Sequence, residues 1–163
     1  AYTVRDRVVR HAVSTFERYY RAAARTVCYL SAEYLLGPHL GNNLVNLGLF
    51  QQAKKAIDPI DLERLLDQEE EPGLGNGGLE RLAACLQDSL ATLQIPAIGY
   101  GIRYEFGIFK QEFSDGWQIE HTDNWLANGN PWEIAKPDVN YLVNWGGHTE
   151  HYIDDAGHGR RSR

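Results

Sequence analysis

Gly73-Leu74-Gly75-Asn76-Gly77-Gly78-Leu79-Glu80-Arg81-Leu82-Ala83-Ala84-Cys85 sets four glycines within six residues at the mouth of a helical sequence. Glycine reaches backbone angles closed to other residues and has no side chain to keep a ligand from the main chain. A helix that begins just after such a loop leaves N–H groups without intrahelical partners and turns the positive end of its dipole outward. Together these features favour a phosphate or a sugar held above the loop. A second reading is a turn that only lets the helix pack closely on a sheet. No Gly-Lys-Ser/Thr ends the run, so it is not a P-loop.

Leu79, Leu82, Ala83, Leu86, Leu90 and Leu93 recur at helical spacing and predict a helix of about four turns with one apolar stripe. Gln87, Asp88 and Gln94 fall off that stripe. Upstream, Val4, Val8, Val9, Ala12, Val13, Phe16 and Tyr20 predict a first amphipathic helix, with Thr3 and Asp6 as its capping pair. Residues 26–30 are apolar on both faces, as in a strand buried in a parallel sheet. Glu33, just past the C-terminal end of that strand, stands where open α/β sheets place their ligands. Its other reading is a solvated acid on a loop.

Pro38 opens a helical stretch carrying Leu40, Leu44, Leu47 and Phe50, in which Asn42, Asn43 and Asn46 read as hydrogen bonders at a turn-to-helix boundary. Asp58-Pro59-Ile60-Asp61 starts a third helix, which runs into Glu69-Glu70-Glu71, read as a solvated helix end. Residues 96–102 form the next strand. Strand, helices, glycine loop, helix, strand is α/β order. Farther on, residues 109–113 and 117–119 predict a hairpin about Ser114-Asp115-Gly116, and Asn128-Gly129-Asn130-Pro131 a turn. Val139, Tyr141, Val143 and Trp145 alternate as a strand would, and Asp154-Asp155-Ala156-Gly157 reads as a turn.

The 163 residues, 43% of them hydrophobic, suffice for one ordinary core. A formal net charge of −6 disfavours a nucleic-acid or membrane-surface binder, and the one basic cluster is Arg160-Arg161-Ser162-Arg163. Cys28 and Cys85 lie in apolar stretches without metal spacing and are expected as buried thiols in a reducing compartment. His148 and His151 would point to opposite faces of a strand and do not make a metal site. Ser89 and Ser114 have no sequence-local base, and no nucleophile elbow is present. No signal peptide or membrane span is read, so the cytoplasm is the expected location. The lack of any methionine, including a first one, predicts part of a longer protein.

The glycine run, followed by Arg81-Leu82-Ala83-Ala84-Cys85 and Asp88-Ser89-Leu90-Ala91-Thr92-Leu93, resembles the α-glucan phosphorylases: the glycogen, starch and maltodextrin phosphorylases. So do Tyr29-Leu30-Ser31-Ala32-Glu33-Tyr34, the run from Gly99 to Phe109, Gly116-Trp117-Gln118 and Gly129-Asn130-Pro131-Trp132-Glu133, in family order over nearly the whole chain. The resemblance implies α/β architecture of GT-B type, with residues 1–163 as part of the N-terminal Rossmann-like domain, preceded by helices and followed by a β-rich segment. It implies reversible phosphorolysis: inorganic phosphate attacks the terminal α-1,4-linked glucose of an α-1,4-glucan and releases α-glucose 1-phosphate. The implied cofactor is pyridoxal 5′-phosphate, whose lysine is not in this chain, and the implied assembly is a homodimer when full length. No nucleic-acid or membrane partner is implied.

Carried over residue by residue, the backbone amides of Asn76, Gly77, Gly78 and Leu79 would face phosphate and the glucosyl unit, and Glu33 would hold the sugar pocket by hydrogen bonding. No catalytic residue is assigned within this chain, which alone is expected to be inactive. Arg81 and Arg103 match family arginines and are expected in structural pairs. Glu80 stands where the family usually has glycine, and Gln87 where it is commonly apolar. Ala12, Phe16 and Glu17 stand where AMP-regulated animal enzymes carry nucleotide-contacting residues, which implies no AMP activation. Two rival readings are a nucleotide-sugar-dependent GT-B glycosyltransferase and a non-catalytic module that binds glucan or assembles with a partner.

Overall fold

A computed structural model describes residues 1–147, 150–154 and 156–162. The chain divides into two compact units, residues 1–133 and 134–163. In the first, helix α1 (Tyr2–Arg21) precedes strand β1 (Val27–Leu30). Three short helices follow, α2 (Leu40–Asn46), α3 (Phe50–Ala56) and α4 (Leu62–Leu66), then the glycine run, the long helix α5 (Gly78–Thr92) and strand β2 (Ala97–Tyr100). Strands β1 and β2 pair in parallel, Val27 opposite Ala97 through Leu30 opposite Tyr100, with α5 packed on β2. The α/β order read from the sequence is therefore present as a mixed helix-and-strand unit.

Helix α1 starts two residues earlier than the capping reading placed it, with Ala1 and not Thr3 at its cap. The N–H groups of Val4 and Arg5 both donate to the Ala1 carbonyl, so Thr3 and Asp6 lie inside the helix and cap nothing. The stretch expected to run from Leu40 to Phe50 breaks at Gly48, whose φ of +66° a side chain would resist. Leu49 N–H donates to Leu44 O and Gly48 N–H to Val45 O, a Schellman closure that ends α2 and separates it from α3. Asp61 does start the next helix, accepting from Glu63 N–H at 3.0 Å. That helix stops at Leu66, and Glu69 is not at a helix end.

Glu69 has a different task from the solvated one expected of it. Its carboxylate accepts the Leu40 N–H at the start of α2, at 2.8 and 3.1 Å, and the Trp132 indole N–H at 3.0 Å. His39, whose ring meets Trp132 edge-on with centroids 5.9 Å apart, is held below the usual histidine range, chiefly by burial. A carboxylate at a helix N-terminus satisfies a donor that has no intrahelical partner and opposes the dipole's charge. Glu69→Ala strips both donors at once and is expected to cost about 2 kcal/mol, measured as a lowered urea midpoint, against about half of that for Glu69→Gln.

The apolar stripe of α5 is only partly enclosed. Its Ala83 is fully buried and Leu90 half-buried, with Ala84 beside them nearly buried, but Leu79, Leu82, Leu86 and Leu93 are exposed. Gly99 and Gly101 of the β2 segment accept the Tyr34 ring, and the Gln87 side chain of α5 reaches the Gly99 site beside it. Gln87 lies on this inner side, its Nε2 enclosed without a partner. The strand expected to be buried on both faces is open: Val27, Cys28 and Leu30 are exposed, and among the described residues β1 pairs with β2 alone. Cys28 and Cys85 are both exposed free thiols, contrary to their expected burial.

Hairpin β3 (Lys110–Ser114) and β4 (Trp117–His121) matches the expectation, with Ser114 opposite Trp117. Its two-residue turn, Asp115 at φ +53° and Gly116 at φ +81°, has the positive φ values that match strand twist. The turn at residues 128–131 is present too, with Gly129 at φ +71° and Asn130 Oδ1 accepting the Trp132 N–H.

In the second unit residues 139–145 form no strand. Tyr141, Leu142 and Trp145 are almost fully exposed, and no ladder partner stands beside them among the described residues. The unit's regular structure is the hairpin β5 (Glu150–Ile153) and β6 (Gly159–Ser162). The turn between them holds Gly157 at φ +80° and closes on Asp154. Asp155, His148 and Arg163, which earlier readings invoked, lie outside the described residues. No helix is long and apolar enough to cross a membrane among the described residues.

Candidate functional site

Residues 31–35 run beside the glycine loop and are stitched to it. Tyr34 N–H donates to Leu74 O at 2.7 Å, Leu35 N–H donates to Glu80 O at 3.1 Å, and the Arg81 guanidinium donates to Leu35 O at 3.4 Å. Tyr34 is the pivot, 8% exposed, with its hydroxyl donating to Tyr29 O at 2.7 Å and directed at Tyr100 O at 3.3 Å. Burial pushes its pKa up. One ring thus ties β1, β2 and the loop together. The sequence reading passed over it, although Gly99 and Gly101 flanking a tyrosine signalled a large ring nearby.

The glycines divide into two groups. A Cβ on Gly73 would lie 2.6 Å from Trp125 Cδ1 and 2.8 Å from Gly107 Cα. On Gly75 it would lie 2.9 Å from the Tyr34 carbonyl carbon. On Gly78 it would meet nothing within 4 Å. None of the four has positive φ. Close packing therefore accounts for the first part of the run, as the turn reading held, and only its end is open. Gly73, Gly75 and Gly78 also fall on G-x-G-x-x-G spacing, but the run follows α4 and irregular chain, not the strand that a dinucleotide fingerprint needs.

The open end coincides with the start of α5. Gly77, at φ −140° and ψ −162°, caps the helix, and Arg81 N–H donates to Gly77 O at 3.1 Å as the first intrahelical bond. The N–H groups of Gly78, Leu79 and Glu80 come before that bond and have no acceptor within the helix. Asn76, Gly78 and Leu79 are exposed and Gly77 is half-buried. The structure brings these four residues together in one turn.

Glu33 sits across from them and faces Glu80. Hydrogen bonding with the Glu80 side chain, then burial, then the Glu80 charge hold its carboxyl above the usual carboxylate range, against the Asn76 N–H, which works the other way. Its Oε2 is enclosed without a hydrogen-bond partner. Beside the loop lies a cavity of about 520 Å³, walled by Glu71, Gly73 and Asn76 on one side and by Gly107, Phe109 and Asp123 on the other. It presents carboxylates and no cation.

Arg103 is set by a two-pronged pair with Glu133, at 2.5 and 3.0 Å, and its guanidinium lies 5.9 Å from the Trp125 ring centre. Arg81 is taken up by the Leu35 carbonyl. Both arginines thus have structural partners. No group of three or more His, Cys, Asp or Glu side chains is placed to hold a metal ion among the described residues.

Residues 56–163 match the family model for carbohydrate phosphorylase. The chain is 64% identical to glycogen phosphorylase of Synechocystis sp. over 162 residues, 98% of this chain. It is 51% identical to the brain form of glycogen phosphorylase of Bos taurus over 153 residues and 50% identical to the human muscle form over 158, or 93% and 96% of this chain. It spans 18–19% of the length of these relatives.

Proposed function

We infer, from the premise that this chain belongs to the carbohydrate phosphorylase family, that it supplies the phosphate-facing glycine loop of an α-1,4-glucan phosphorylase. The observation that carries the reading is the open turn at Gly78–Leu79, where unpaired N–H groups and a helix dipole favour an anion. The whole protein would have GT-B architecture, two Rossmann-like domains with the site between them. It would use inorganic phosphate to release α-glucose 1-phosphate from the end of an α-1,4-glucan, in the cytoplasm and as a homodimer.

In this account Gly77, Gly78 and Leu79, with Asn76 whose N–H is shared with Glu33, hold phosphate and orient it toward the glucosyl unit through backbone amides fixed before the reaction begins. Glu33 shapes the sugar side of the pocket. Tyr34 holds the loop in register with the sheet.

Pyridoxal 5′-phosphate, the family's cofactor, would supply the whole protein with a phosphate group able to act as proton partner of the substrate phosphate. Its aldehyde needs a lysine. Lys54, Lys55, Lys110 and Lys136 are the chain's lysines, and none lines the cavity beside the loop. These residues therefore do not fit the aldehyde end of the cofactor. The chain by itself is expected to form no glucose 1-phosphate. Absorbance in the cofactor's ultraviolet band tests the reading on the full-length protein: a band lost on removal of the cofactor supports it, and a protein without such a band contradicts it.

A further inference from the structure

Glu80 is the third residue of α5, a position from which a side chain reaches back over the helix start. It does so here. Its Cβ and Cγ lie 2.8 and 3.0 Å from the place of a Cβ on Gly75, and its Oε2 lies 2.9 Å from that place on Gly77. The carboxylate is folded onto the loop and faces Glu33 across it, where one Glu33 oxygen is enclosed without a partner. The neighbouring cation does not neutralise the pair, because the Arg81 guanidinium is directed to the Leu35 carbonyl. The cavity beside the loop adds Glu71 and Asp123.

We propose that Glu80 sets the affinity of the site for phosphate, its carboxylate lying over the anion-facing end of α5 and competing there with inorganic phosphate. The proposal rests on the phosphorolysis reading above and deepens it. A carboxylate and a phosphate are both acceptors for the same few N–H groups, and both carry negative charge, so each weakens the hold on the other. α-Glucose 1-phosphate presents the same anion. A neutral glucan does not. Glu80 therefore raises the KM for the two phosphate-bearing substrates together and leaves that for the glucan alone.

The test uses the full-length protein with Glu80→Gln, which keeps the shape and removes the charge, and Glu80→Gly, which removes both. KM for inorganic phosphate and for glucose 1-phosphate is expected to fall about fivefold in each variant, with KM for glycogen within about twofold of the parent. Calorimetric titration with inorganic phosphate alone should show the same tightening without turnover. Phosphate KM or affinity that is unchanged or weaker in Glu80→Gln overturns the proposal. If the parent protein forms no glucose 1-phosphate at all, the phosphorolysis reading fails instead, and the calorimetric comparison still decides the role of Glu80.

Discussion

Gly78→Pro in the full-length protein is expected to cut phosphate-dependent turnover about 100-fold while the fold survives. The substitution removes a single N–H from the open turn. Proline is well tolerated at the first position of a helix, where that N–H has no intrahelical partner. It also needs an extended residue before it, and Gly77 at φ −140° and ψ −162° is already extended. The space is free, since a Cβ on Gly78 meets nothing within 4 Å.

Gly78→Ala is the control that separates the donor from the glycine. It keeps the N–H, adds a methyl group to open space, and should change turnover by no more than about threefold. Initial rates of glucose 1-phosphate formation, taken with a melting curve for each variant, give the comparison. Equal losses in the two variants, or none in Gly78→Pro, would remove the backbone donor from the account.

Gly73→Val is expected to be the most destabilising change in the loop, at about 3 kcal/mol. The added Cβ would be 2.6 Å from Trp125 Cδ1, 2.8 Å from Gly107 Cα and 2.9 Å from Gly107 N. Two of those three contacts are to backbone, which cannot rotate out of the way. The Gly107 segment is itself fixed by its N–H donating to Asp123 O, and Trp125 is only 5% exposed. Urea unfolding with Gly73→Ala as a milder step should show graded losses. A midpoint within error of the parent for Gly73→Val would mean that the loop and the Gly107 segment are not packed together as described.

The glycine loop, the helix behind it, the parallel strand pair and the hairpin about Asp115-Gly116 were legible in the sequence because each is specified locally. Turn residues, helical spacing and strand alternation act over a few positions. Gly48 is an instructive miss, since Leu40, Leu44, Leu47 and Phe50 keep helical spacing straight through a left-handed residue that ends the helix. Periodicity placed Ala83 on the apolar stripe of α5 but could not tell which members of the stripe the fold buries: Ala83 is enclosed while Leu79, Leu82, Leu86 and Leu93 stay exposed.

Residues 139–145 show the same limit, since alternation specifies a strand only when another strand accepts its hydrogen bonds. At the site, Glu33 and residues 76–79 could be named from sequence by position and resemblance. Tyr34, Glu69 with Trp132, and the backward fold of Glu80 could not. Each depends on a partner 29 or more residues away, or on a side-chain direction that spacing does not encode.

Glucose 1-phosphate formation by the full-length protein, given glycogen with either inorganic phosphate or a nucleotide-activated glucose, tests the central claim most directly. Release of glucose 1-phosphate that depends on phosphate, with no glucosyl transfer from the nucleotide sugar, is the predicted result. Glucosyl transfer from the nucleotide sugar, with inorganic phosphate left unconsumed, would contradict it.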